Sequence, residues 1–142
     1  MRPRTAFDAD VLIYAAVPGH PLGARVAALF QADPASPAST KVGSGSVLLL
    51  TEVLAKPLRD KGRSDEVATL VGLLSRLELC PVDESTARLA LALAVSYGLR
   101  VADASHLATA LAAGADRFLT NNRKDFPQTI TEIDIVYPDE LP

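Results

Sequence analysis

The chain has 142 residues and a mass of 15.0 kDa, with 49% hydrophobic and 22% charged residues. That mix builds one buried core and excludes a wholly disordered chain, while no apolar run approaches the roughly 18 residues of a bilayer span. The start, MRPRTAFDAD, lacks the apolar stretch of a signal peptide, and Cys80, the single cysteine, makes no internal disulfide and fits no metal-ligand spacing. The expectation is a soluble, cytoplasmic protein with one domain over residues 1–142. The formal charge of −3 does not exclude a nucleic-acid partner: setting Asp8, Asp10, Glu52 and Asp103 aside from the 17 acids leaves 13 against 14 Lys and Arg.

Thr5–Phe7 reads as a short strand that meets a helix at Asp8–Leu12. Leu22–Gln31 carries apolar residues at 22, 26, 29 and 30, a helical spacing. Asp33–Ser46 is biased toward Pro, Ser, Gly and Ala and reads as a loop with a short strand near Lys41–Gly43. Ser46 is placed to cap a helix over Val47–Lys56 that Pro57 interrupts. Ser64, followed by Asp65 and Glu66, starts another helix with acids at its positive end. Leu77–Val82 reads as a strand, and Asp83 caps a helix over Glu84–Tyr97 that Gly98 closes. Asp103 opens a helix that ends before Gly114. Arg117–Thr120 and Ile133–Tyr137 read as the last two strands. Alternating strands and helices predict right-handed crossovers and a mostly parallel sheet covered on both faces. The crevice of such a sheet lies beyond the C-terminal strand ends, where Asp8 and Thr120–Asn122 fall.

Each acid carries two readings. Asp8 and Asp10 repel one another unless a cation or a proton lies between them, or one of them caps the next helix. Glu52 interrupts the apolar stretch VLLLTEVLA, where it either serves a metal site or pairs with Lys56 four residues on. Asp103 reads as a helix cap, as a ligand facing the crevice, or as both. His106 is a candidate ligand or base, with a structural hydrogen bond as the commoner role, and His20 has no supporting context. Arg123, Lys124 and Asp125 read as a solvated loop or a phosphate contact. Oxygen donors at a strand end, in mid-helix and at a helix start, without thiolates or paired histidines, suit a hard cation such as Mg²⁺ or Mn²⁺. Such an ion activates water against a phosphodiester.

Four segments then occur in order: Phe7-Asp8-Ala9-Asp10-Val11-Leu12-Ile13-Tyr14, Leu50-Thr51-Glu52-Val53-Leu54-Ala55, Val101-Ala102-Asp103-Ala104-Ser105-His106-Leu107-Ala108-Thr109-Ala110, and Phe118-Leu119-Thr120-Asn121-Asn122 before Lys124-Asp125-Phe126. In order, spacing and length the chain resembles PIN domains, and within them the VapC-type toxins of bacterial toxin–antitoxin pairs. The resemblance implies a three-layer α/β/α fold with a mostly parallel central sheet. It also implies a ribonuclease whose Asp8, Glu52 and Asp103 hold Mg²⁺ or Mn²⁺, with RNA as substrate, a cognate antitoxin as partner, and a homodimer. Two positions depart from the common pattern. Asp10 stands where many relatives have Asn or Ser, and Asn122 stands where many have a fourth acid. Asp10, Thr120, Asn122 and Asp125 are therefore auxiliary candidates. Three other readings compete: a degenerate PIN domain that binds RNA or a partner without cleaving it, a haloacid dehalogenase-like phosphatase opening on Asp8-Ala9-Asp10-Val11, and a receiver-type signalling domain.

Overall fold

A computed structural model describes residues 2–31, 40–60 and 62–142. Its first elements are β1 (Thr5–Phe7), α1 (Ala9–Ala15), α2 (Pro21–Ala28), β2 (Gly43–Ser46), α3 (Leu49–Arg59) and α4 (Ser64–Ser75). They are followed by β3 (Leu77–Cys80), α5 (Glu84–Tyr97), α6 (Val101–Ala112), β4 (Arg117–Leu119) and β5 (Asp134–Val136). A 3-10 turn over Pro138–Glu140 ends the described elements.

All strand pairs are parallel, and the sheet runs β3-β2-β1-β4-β5. Successive residues of a strand point to opposite faces, and each face has its own core. Ala6, Phe118 and Ile135 pack with Leu93, Leu107 and Ala108 of α5 and α6. Phe7, Leu119 and Leu77 pack with Leu12, Val26, Leu49, Val53 and Leu70 of α1 to α4. β1 is buried throughout and helices cover both faces of the sheet, which gives the three layers expected. From β1 the chain first builds outward through β2 and β3 and then returns to β4 on the other side. The strand order therefore reverses between β1 and β4, the position at which an open parallel sheet leaves a crevice.

Several boundaries differ from the sequence reading. The expected strand at Lys41–Gly43 lies later, at Gly43–Ser46. Its sequence, GSGS, has no strand propensity, and close packing selects it instead: a Cβ on Gly43 would stand 2.3 Å from the Thr5 carbonyl oxygen. Residues 33–39 of the Asp33–Ser46 loop lie outside the described residues. Ser46 ends β2 and is no helix cap. Its Oγ accepts from the N–H of Leu48, the residue just before α3, at 3.1 Å. Pro57 does not interrupt α3, which continues to Arg59. The proline ring is buried, and the Asp60 N–H still donates to the Lys56 carbonyl at 3.1 Å, so packing offsets the one missing donor. Asp83 and Gly98 behave as read: the Asp83 carboxylate accepts from the Thr86 N–H at 2.9 Å, and Gly98 closes α5 at φ 68°.

Candidate active site

Asp8 follows β1 and is the N-cap of α1, with 5% of its surface exposed. Its Oδ1 accepts from the Ala9 N–H at 2.8 Å, and its Oδ2 accepts from the Thr120 hydroxyl at 2.7 Å. The cap role and a place at the strand-end crevice therefore coexist. Thr120, fully buried just beyond β4, also accepts from the Asn122 N–H at 3.1 Å. This one hydroxyl ties the two central strand ends together.

Asp10 lies in the first turn of α1. Its Oδ2 accepts from the Asn121 N–H at 2.9 Å, while its Oδ1 is buried without a partner. Asn121 Oδ1 is likewise buried and unpartnered. Burial, then the neighbouring Asp8 charge, pushes the Asp10 carboxyl up to about 7. Burial also raises Asp8, against the pull of the Thr120 hydroxyl and His106.

Asp103 does not cap α6. The helix begins at Val101 with Arg100 as its N-cap, two residues before the expected opening at Asp103, which lies in the first turn. Its carboxyl is raised by burial and then by the charges of Asp8, Asp125 and Glu52. Asp103 therefore lies within electrostatic reach of Asp8, Glu52 and Asp125.

Glu52 leaves α3 with its side chain 35% exposed. Among the described residues it forms no ion pair with Lys56. Its Oε1 instead meets His106 Nε2 at 2.8 Å. His106 sits inside Ala104–Ala110, seven consecutive buried residues of α6, and is itself 2% exposed. Burial opposes a charge on this ring, but the Glu52 hydrogen bond and the Asp8 and Asp103 charges outweigh it and raise the His106 pKa. The partnership joins residues 54 positions apart, and nothing local in the sequence indicates it.

Asn122 turns toward the loop. Its Nδ2 donates to Asp125 Oδ2 at 2.9 Å, and its Oδ1 accepts from the Asp125 N–H at 3.3 Å. Arg123 pairs with Asp139 at 2.8 Å and lies over the Tyr137 ring, and Lys124 beside it is exposed. His20 caps α2 through Nδ1 on the Gly23 N–H and stacks on Tyr14.

Among the described residues, no group of three or more His, Cys, Asp or Glu side chains is set to hold a metal ion as it stands. The donor chemistry nevertheless fits a hard cation. No Lys or Arg forms an ion pair with Asp8, Asp10, Glu52 or Asp103 among the described residues, and the buried Asp10 Oδ1 lacks any donor. Also among the described residues, no helix is long and apolar enough to cross a membrane.

A toxin–antitoxin complex from Klebsiella pneumoniae is similar to this chain at 25% identity and a TM-score of 0.71, covering 94% of this chain and 97% of its own. VapBC2 from Rickettsia felis, bound to a DNA fragment from its promoter, matches at 19% identity and a TM-score of 0.68 over the same shares, a likeness of fold. No curated protein matches the chain. The PIN domain family model matches residues 6–130, which contain every acid of the crevice, so this chain belongs to the PIN domain family.

Proposed function

We propose that this PIN domain is a ribonuclease dependent on Mg²⁺ or Mn²⁺, and that it is the toxin of a toxin–antitoxin pair. One observation carries the reading: Asp8, Asp10, Glu52 and Asp103 gather at the strand-order reversal, and among the described residues no Lys or Arg pairs with any of them, His106 on Glu52 being the one partner able to carry a charge. So many carboxylates around a single imidazole are costly unless a cation binds or protons are retained.

Asp8, Glu52 and Asp103 would hold the ion, which supplies a polarised phosphoryl oxygen and an activated water when bound. The chain's own residues do the rest. Ala9 N–H and Thr120 Oγ1 fix both oxygens of Asp8, so its remaining lone pairs point in a set direction. The first turn of α6 presents Asp103 where the positive helix end favours its ionised form. Asp10 adds an acid beside Asp8, while Asn122 and Asp125 satisfy one another at the rim. RNA as substrate follows the family resemblance.

The antitoxin partner is supported by structural neighbours that are toxin–antitoxin complexes. Leu50 and Leu58 of α3 with Val71 of α4, and Leu91 and Val95 of α5 with Val101 of α6, are exposed apolar residues on opposite layers. Those are the surfaces an antitoxin and a second copy would cover.

The test is cleavage of a mixed pool of end-labelled RNAs with Mn²⁺, with Mg²⁺ and with chelator, beside Asp103→Asn. Cleavage that needs both metal and Asp103 supports the proposal. A second reading, a PIN domain that binds RNA or a partner without cutting, is favoured by the engaged Asn122 amide and the open donor set. RNA retention without cleavage in any metal, by a folded protein, would select it.

A further inference from the structure

α3 packs on one face of the sheet and α6 on the other, as their separate cores show. Glu52 and His106 are the point at which side chains of these two helices meet by hydrogen bond, with Nε2 and Oε1 2.8 Å apart. The two partners are unequal. His106 is nearly inaccessible and set in the buried run of α6, whereas Glu52 is a long, partly exposed side chain with freedom about three torsions. In either protonation state of the ring, it is the Nε2–H that faces the carboxylate. His106 Nδ1 has no partner among the described residues, so the ring's one hydrogen bond here is to Glu52.

We propose that His106 is a positioning residue: it holds the Glu52 carboxylate at the mouth of the acidic crevice through Nε2, and is not itself a metal ligand. The inference rests on the metal-site reading above. It gives the structural hydrogen bond read for His106 a specific task, which the ligand and base readings do not supply. One Glu52 oxygen is committed to the imidazole, and the other, Oε2, remains available. Carboxylate–imidazole pairs of this kind orient donor oxygens around cations, and their loss typically weakens metal binding about 10–100-fold.

The test compares two amides in the full-length protein. Gln places its amide nitrogen the same number of bonds from Cβ as His Nε2, whereas Asn stops at the position of Nδ1. Mn²⁺ affinity is measured by calorimetric titration of metal-free protein for the wild type, His106→Gln and His106→Asn. His106→Gln is expected to stay close to wild type and His106→Asn to bind about 10–100-fold more weakly. In a Glu52→Gln background the same two substitutions should no longer differ. Electron spin-echo spectra of bound Mn²⁺ should show no nitrogen coupling.

Equal affinity for His106→Asn and wild type would overturn the inference. So would equal losses for both amides in folded protein, or nitrogen coupling to Mn²⁺, since the latter makes His106 a ligand. Failure of the wild type to bind Mn²⁺ at all would overturn the metal-site reading and this inference together. These outcomes separate the two claims.

Discussion

Asp10→Asn isolates the electrostatic strain of the metal-free crevice. The substitution keeps the shape and retains an acceptor for the Asn121 N–H, while it removes a charge that has one buried oxygen without a donor. The Asp10 carboxyl is raised from 3.8 to about 7, chiefly by burial and then by Asp8. A group raised on folding binds its proton more tightly in the native state. Its contribution to stability is therefore complete below about pH 4 and is lost as pH rises through about 7. At about 1.4 kcal/mol per tenfold, the gap sets a ceiling of about 4 kcal/mol, and sharing of the repulsion with Asp8 brings the expected gain to about 2–4 kcal/mol at pH 8. For a chain of this size that corresponds to roughly 3–4 °C of Tm per kcal/mol. Thermal unfolding in chelator at pH 4, 6 and 8 should show wild type and variant close together at pH 4 and the variant well ahead at pH 8. A difference that does not change with pH, or a less stable variant at pH 8, would refute the reasoning.

Four further outcomes follow from the same geometry. If the proposed ribonuclease reading holds, Asp103→Asn should reduce RNA cleavage by at least about 100-fold with no loss of Tm, because it removes a charge from the proposed metal site and leaves the fold's cores untouched; a large drop in Tm would make the lost activity uninformative. Thr120→Val should cost about 1–3 kcal/mol in urea unfolding, since the Asp8 Oδ2 and the Asn122 N–H both lose their partner. That cost should be larger at pH 8 than at pH 4, because the hydroxyl favours ionised Asp8. Gly23→Ala should destabilise by about 1–3 kcal/mol, as its Cβ would fall 2.0 Å from the Tyr14 carbonyl oxygen and force α1 and α2 apart. Asn122→Asp, measured metal-free, should lose about 1–3 kcal/mol by replacing a 2.9 Å donor with a carboxylate facing Asp125, and Asp125→Asn should recover it.

Local chemistry was sufficient for much of the chain. Asp83 and Gly98 bracket α5 as written, because a side-chain acceptor for the first N–H groups and a left-handed closing residue act over a few positions. The apolar β1 and β4 segments, followed at once by Asp8 and Thr120, placed the crevice before any packing was known. Elsewhere the decisive contacts were distant. GSGS becomes a strand only because β1 and β3 leave a gap that larger residues would fill, and Pro57 stays helical only because its ring is buried. Whether Glu52 would face Lys56 or His106 depended on the sheet bringing α3 and α6 together, 54 residues apart. The identity and order of the acids were legible in the sequence, since they sit at element ends that local rules locate. Their partners were decided by tertiary structure alone, because a hydrogen bond across a sheet depends on spatial approach and leaves no periodic trace along the chain.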